Sequence, residues 1–453
     1  MAHILPFRPW RYDPQRVSPA KVVTQPYDKI TPAMQDRYYA ASPYNLVRII
    51  LGRREENDNT EHNVYSRAAS CFQEWRRQGV VRQDSAASLY VYSQRFLAAG
   101  TATECERRGF IALGRLEDYS AKIIFRHEQT LAKPKADRLD LLRATRAQFE
   151  QLFMLYEDSG EIDSLFPRDA QTDPVVTDPS VTNSINTSPV IDVTDEYGVV
   201  HRVWRISDRD VIDSVRSRMR DKKLIIADGH HRYETALNYR NERRAAASAA
   251  GTQGPSDAAS EFAVMTFIDI ASPALVILPT HRVVHGLAGF SADNFRDLAG
   301  AYFAIEELDP ALDAARATAV LREAGRAGTA LLAVTADRAF LLDKPRSSGS
   351  QLLEGLSPRQ RSLEVVQLHK SLLEGVLKLS EESIREQKNI SYIRDAAEAL
   401  ARVRGGTADI VFLMNPCRID QMRDIAFAGE VMPQKSTDFY PKLLSGLTIY
   451  AMD

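Results

Sequence analysis

The stretch that most constrains this 453-residue chain is LIIADGHHRYETALNYR, Leu224 to Arg240. Leu224-Ile225-Ile226-Ala227 is a short apolar run of the kind that forms a buried strand. Asp228-Gly229 is a turn signal, and Tyr233, Ala236, Leu237 and Arg240 then repeat at helical spacing. A strand, a glycine turn and a helix aim backbone N–H groups and the positive end of the helix dipole at one point. His230, His231 and Arg232 stand at that point, a composition suited to binding phosphate. The plainer alternative is that Asp228 caps the helix and the histidines sit on a solvated turn.

Other polar clusters lie at strand ends. A strand over residues 122–126 leads into His127-Glu128-Gln129-Thr130 and then Lys133-Pro134-Lys135-Ala136-Asp137-Arg138. Here Glu128 is a candidate general base, and Lys135 and Arg138, with Thr130 beside them, are candidate phosphate ligands. A solvated loop with surface ion pairs is the competing account. Pro279-Thr280-His281-Arg282 repeats a His-Arg pair after a strand at Ala274 to Leu278, and Arg282 can add charge. Asp28, beside Tyr27 in QPYDKI, is either catalytic or the cap of a helix starting near Pro32. Lys435, Ser436 and Thr437, in the ordered polar loop from Val431 to Lys442, are residues able to hold an anion. The loop lacks the glycines of a Walker-type motif.

Between these clusters the pattern alternates. Strands are expected at Leu46–Leu51, Leu89–Leu97, Gly109–Leu116, Leu152–Tyr156, Glu261–Ile270, Ala330–Ala336 and Asp409–Met414. A hairpin is expected over residues 190–206, turning at Asp195 to Gly198. Helices are expected at Asn63–Gln78, from Arg138 towards Leu152, at Asp208–Met219, Pro310–Ala327, Leu363–Leu377 and Ala396–Val403. Arg168 to Pro189 is a long polar loop, and AAASAAGTQGPSDAAS is either a mobile lid or a tolerated insertion. This alternation predicts an α+β fold with mixed sheets. It divides into an N-terminal region over 1–165, a central region over 190–287 and a C-terminal α/β region over 288–453.

Composition narrows the classes. A net charge of −2 gives no footprint for a nucleic-acid partner. No apolar run approaches the roughly 18 residues needed to cross a membrane. The sequence MAHILPFRPWRYDP lacks a basic-then-apolar signal pattern. Cys71, Cys105 and Cys417 are odd in number and far apart, so no disulfide framework is expected. These observations together predict a cytoplasmic protein.

The motifs PFRPWRYDP, QPYDKI, SPYNLVRI, HEQT…PKADRLDLL, IADGHHRYETALNYR, LPTHRVV and MPQKSTDFYPKLLSGL occur in this order. Together they resemble a bacterial and archaeal family catalogued as a domain of unknown function, number ten-fifteen. More distantly, the strand–DGHHR–helix unit resembles the ParB/sulfiredoxin superfamily and its free-serine kinases. In that superfamily a Gly-x-His-Arg motif binds nucleotide phosphates, and Gly229, His231 and Arg232 fit it. His230 stands where a sulfiredoxin carries its reactive cysteine, which argues against sulfinic-acid reduction. The resemblance implies ATP or ADP with Mg²⁺, and a small hydroxyl substrate such as L-serine.

Phosphoryl transfer needs positive groups on the phosphates and a carboxylate that orients the attacking hydroxyl. Arg232, His231, Lys135, Arg138 and Arg282 are candidates for the first role. Asp228 and Glu128 are candidates for base or metal ligand. Glu234, one turn after His230, shares its face and is placed to orient that imidazole. Two other readings compete: a nucleotide-dependent switch of the ParB type, and a metal hydrolase built from His127, His230, His231, His281, Asp228 and Glu128.

Overall fold

The structure is a computed structural model that describes residues 1–98, 103–130, 132–166, 188–251, 258–346 and 351–452. Most of the loop expected over Arg168 to Pro189, and the middle of the AAASAAGTQGPSDAAS segment, lie outside these residues. Within them the fold is α+β with mixed sheets, as the alternation of helical and strand patterns predicted. The chain forms two compact units. The first comprises 1–125, 131–275 and 441–453; the second comprises 126–130 and 276–440.

The first unit is built on a nine-stranded mixed sheet. Leu224–Asp228 lies inside it, parallel to Ile124–Phe125 on one side and antiparallel to Leu152–Tyr156 on the other. Leu152–Tyr156 in turn runs parallel to Phe262–Asp269. Of these three strands, Leu152–Tyr156 is wholly buried and the other two are buried except for their last residues, Asp228 and Asp269, which explains their apolar sequences. Glu104–Arg115, Leu89–Leu97 and the Ile191–Thr194/Val200–Ile206 hairpin extend the sheet with antiparallel pairs. Met154, Ile226, Tyr233 and Met265 meet in its core. A second cluster gathers the N-terminal helices around Ile49, Phe72, Trp75 and Phe149.

The second unit has a six-stranded antiparallel sheet, ordered 304–308, 339–343, 330–334, 410–414, 281–284, 390–393. Leu332, Val334, Leu400, Val411 and Leu413 fill its core. Among the described residues, no helix is long and apolar enough to cross a membrane.

Several expected elements differ. Leu46–Leu51 is not a strand: Val47–Ile50 is one helical turn, started by Asn45 Oδ1 accepting from Val47 N at 2.9 Å. A short run that is apolar on every side fits either state, and here no neighbouring strand offers a ladder. The polar cluster at 133–138 is not loop but the start of the helix Ala132–Thr145, which ends before the short strand Ala147–Gln148. The helix after the DGHHR motif runs on to Ala249, absorbing the alanines assigned to an excursion. His281 and Arg282 lie within the strand His281–Val284, not beyond a strand's end. Thr31 caps the helix Pro32–Ala41, accepting from Met34 N at 3.3 Å, so Asp28 is not its cap.

Candidate functional site

The strand Leu224–Asp228 carries Asp228 to its end, where pairing with Leu152–Tyr156 shifts register between Ile226 and Asp228. Gly229 follows with a φ of 94° and serves as N-cap of the 20-residue helix His230–Ala249. Glycine is required here on two counts. The left-handed backbone disfavours any side chain. A Cβ would also lie 3.1 Å from both Leu152 Cδ2 and Arg232 Nη2. Gly229 has no side chain to cap the helix, whose first turn carries the positive end of its dipole.

Asp228 organises the cations at this turn. Its Oδ1 accepts from Lys442 Nζ at 3.2 Å, and its Oδ2 from Arg232 Nη2 at 3.1 Å. Arg232 Nη1 donates to Gln151 O at 2.7 Å. Burial alone would raise the Asp228 carboxyl. Lys442, Arg232 and Lys29, in that order, outweigh it and hold the group well below the usual carboxylate range. The opposite balance holds Arg232 firmly charged: burial opposes its charge, while Glu150, Asp228 and Asp28 favour it. Glu150 is itself tied down, accepting from Tyr27 N at 3.0 Å and Ser445 Oγ at 3.3 Å. Asp28 is different. It is exposed, and no described residue hydrogen-bonds or ion-pairs with it.

Lys442 is placed by the chain's last segment. Gln94 Nε2 donates to Lys442 O at 2.8 Å, and Arg107 donates to Pro441 O and to Gln94 Oε1. Tyr92 Oη accepts from Leu444 N at 3.4 Å and meets His201 Nδ1 at 2.7 Å. His201 Nε2 lies 3.2 Å from Asp195 Oδ2. Arg107 is fully buried, and burial brings its guanidinium down to about 10, with Tyr92 and Asp228 opposing.

Of the residues singled out in the sequence, Asp228, Gly229, His230, His231 and Arg232 share this turn, His230 being buried and His231 half-buried. Lys135 and Arg138 belong to the same unit, on the helix Ala132–Thr145. Lys135 Nζ donates to Glu234 Oε2 at 2.8 Å, so Glu234 serves that lysine. Arg138 is 8% exposed and lines one cavity with Glu150 and Arg232. It donates to Ile50 O at 2.6 Å and Asp137 Oδ2 at 2.6 Å, and its Cζ lies 4.1 Å from the Tyr27 ring centre.

Glu128, Thr130 and Arg282 belong to the second unit. Glu128 Oε1 accepts from both Thr437 N and Thr437 Oγ1 at 2.8 Å. Arg282 is 1% exposed and its fork points to Thr280 O, to Lys435 O at 3.1 Å and to Met414 Sδ at 3.1 Å. The residues that sequence reasoning passed over are Lys442, Lys29, Glu150 and Gln151. Lys442 closes the MPQKSTDFYPK motif, so the motif was visible while its working residue was not.

Among the described residues, no three His, Cys, Asp or Glu side chains come together as a metal site. At the turn, both oxygens of Asp228 are already taken by cations. That arrangement does not fit a divalent ion held by protein ligands, which needs free carboxylate oxygens.

A family model described as "Protein of unknown function (DUF1015)" matches residues 4–366. No curated protein matches the chain. Among solved structures, a conserved hypothetical protein from Pyrococcus furiosus aligns at 11% identity, covering 72% of this chain and 91% of that one, with a TM-score of 0.34. A free serine kinase in complex with AMP aligns at 13% identity, 70% and 83% coverage, and a TM-score of 0.32. SbnI with a C-terminal truncation, from Staphylococcus aureus, aligns at 10% identity, 75% and 87% coverage, and a TM-score of 0.34. These likenesses are too slight to carry a fold or a function across.

Proposed function

Because the chain belongs to the DUF1015 family, whose description assigns no activity, we propose a function from its own residues. The protein binds the phosphates of ATP or ADP at the turn from Asp228 to Arg232 and transfers a phosphoryl group to the hydroxyl of a small molecule such as L-serine. The observation that carries this reading is the carboxylate of Asp228 holding two cations, Arg232 and Lys442, at the N-terminus of the His230–Ala249 helix behind a left-handed Gly229.

The roles follow from the geometry. Asp228 stays ionised, so it is a poor proton acceptor. It serves instead to hold Arg232 and Lys442 where phosphate oxygens can replace it. Arg232, Lys442, Lys29 and the helix N-terminus then offset the phosphate charge. His231, in the helix's first turn, is an additional donor. The proton of the attacking hydroxyl needs a carboxylate that is not already engaged. Asp228 and Glu150 are both engaged, and Asp28 is the carboxylate near Arg232 that is exposed and unpaired. As the hydroxyl oxygen bonds to phosphorus, its proton passes to Asp28 and the nucleotide leaves with one phosphate fewer. Magnesium, where present, would arrive with the nucleotide's phosphates.

The test is phosphorus NMR with ATP or ADP, with and without L-serine, alongside calorimetric binding. A phosphomonoester signal that requires serine is expected. Asp28→Asn should keep nucleotide affinity and lose turnover by about 10²–10⁴-fold. Arg232→Ala should lose nucleotide binding. If no nucleotide binds the wild-type protein, the reading fails. Release of inorganic phosphate with no phosphorylated acceptor would replace it with a nucleotide-hydrolysing switch.

A further inference from the structure

A second cavity lies in the first unit, apart from the Asp228 turn and unused by the function proposed above. It has a volume of about 620 Å³ and is lined by Tyr39, Arg48, Gly52, Arg53, Arg67 and Cys71, among others. That size suits a small organic ligand. Its walls come from the helix Pro32–Ala41, the turn Val47–Ile50 and the helix Val64–Arg77.

The charges on these walls do not balance. Arg53 is answered by Asp36, and Arg67 by Asp58 and, at 3.5 Å, by Glu55. Arg48 has no carboxylate partner among the described residues. Its one hydrogen bond runs from Nη2 to Tyr39 O at 3.0 Å, and its Nε is buried without an acceptor. A buried donor with no acceptor is costly unless a ligand supplies one. The guanidinium also lies over an aromatic ring: its Cζ is 4.4 Å from the Tyr39 ring centre, and that of Arg53 is 4.3 Å from the same centre. Tyr39 Oη further accepts from Arg53 N at 2.9 Å, fixing the ring. At Gly52 the wall is tightly packed, since a Cβ there would come within 2.8 Å of Val64 Cγ2 and 3.0 Å of Arg48 O. Arg53 and Asp36 are both more than half exposed, so that pair is weak and Arg53 is free to turn to a ligand.

We infer that this cavity is a second binding site, for a small molecule bearing an oxyanion group, a carboxylate or a phosphate, gripped by Arg48 with Arg53 beside it. Two arginine forks braced on an aromatic ring match the paired oxygens of either group. The site is independent of the nucleotide reading and stands or falls separately.

The test uses the full chain, titrated calorimetrically with inorganic phosphate and, separately, with malonate. Saturable binding of at least one probe is expected, and the stronger one identifies the group recognised. Arg48→Ala should weaken that binding at least tenfold, and Arg48→Lys, which keeps the charge but not the fork, by a smaller factor. Arg232→Ala, at the other site, removes any phosphate bound at the Asp228 turn and should leave in place the binding that Arg48→Ala weakens. Circular dichroism and thermal melting show whether the variants fold, and should Arg48→Ala fail to fold, Arg48→Lys decides. No saturable binding of either probe at millimolar concentration would overturn the inference. So would loss in Arg232→Ala with retention in the Arg48 variants.

Discussion

Replacing Gly229 with alanine tests whether the turn is as constrained as its geometry requires. The backbone there has φ of 94°. An L-residue in the left-handed region costs about 1–2 kcal/mol, and 94° lies beyond that region's centre near +57°, so the upper part of the range applies. The added Cβ would meet Leu152 Cδ2 and Arg232 Nη2, each at 3.1 Å. Leu152 is 3% exposed on an inner strand. Overpacking by one methyl adds about 1 kcal/mol, the low end of such costs. The sum is about 2–3 kcal/mol, or a fall in melting temperature of about 4–12 °C for a unit of this size. Urea unfolding followed by circular dichroism measures it. Gly229→Asn separates the two terms: asparagine tolerates the left-handed region but keeps the Cβ contacts, so it should recover about 1 kcal/mol. A Gly229→Ala midpoint within about 0.5 kcal/mol of wild type, the scatter of neutral surface changes, would refute the reasoning. So would an asparagine variant no better than the alanine one.

Lys442→Met removes one of the two cations on Asp228. Breaking a buried pair costs about 3–5 kcal/mol, but Asp228 is 25% exposed, and water reaching it lowers the expected loss to about 1–3 kcal/mol; an unchanged urea midpoint would show that the pair does not stabilise the turn. His281 should make the second unit acid-sensitive. Burial first, and then Arg282, lower its imidazole to about 4, with Asp395 opposing. Unfolded histidine protonates near 6.5, so its contribution is complete above that pH and is lost as pH falls towards 4, by up to about 3 kcal/mol. His281→Gln should flatten this limb of the stability profile, and an identical limb in the variant would assign it to other groups. Glu128→Ala should cost about 1–3 kcal/mol, because Thr437 N and Oγ1 lose their acceptor, while Glu128→Gln, which keeps a carbonyl oxygen, should cost under about 1 kcal/mol. Equal losses in the two variants would mean that the carboxylate's charge matters, not its acceptor.

What the sequence made legible follows from the range of the interactions involved. The strand–glycine–helix unit at Leu224–Ala249 was readable because its signals are local: a buried apolar run, an Asp-Gly turn and a helical repeat, all within one stretch. Val47–Ile50 was misread for the same reason, since a four-residue segment is too short to show a period, and its state depends on whether a strand lies alongside. The extent of the helix Ala132–Thr145 was hidden because a proline and charged residues near its start imitate loop, although proline is well placed in a helix's first turn. The charge partners were the hardest to see. Lys442 reaches Asp228 across 214 residues of sequence, Arg232 leans on the Gln151 carbonyl, and Arg138 donates to the Ile50 carbonyl. A lysine or arginine in a motif announces a cation, but burial and the nearest acceptor decide what it serves, and both are set by tertiary packing. For the same reason Asp228 and Asp28 could not be told apart as bases from sequence. Both are aspartates in polar turns, yet one is held between two cations and the other is exposed and unpaired, and the proposal of Asp28 as proton acceptor rests on that difference.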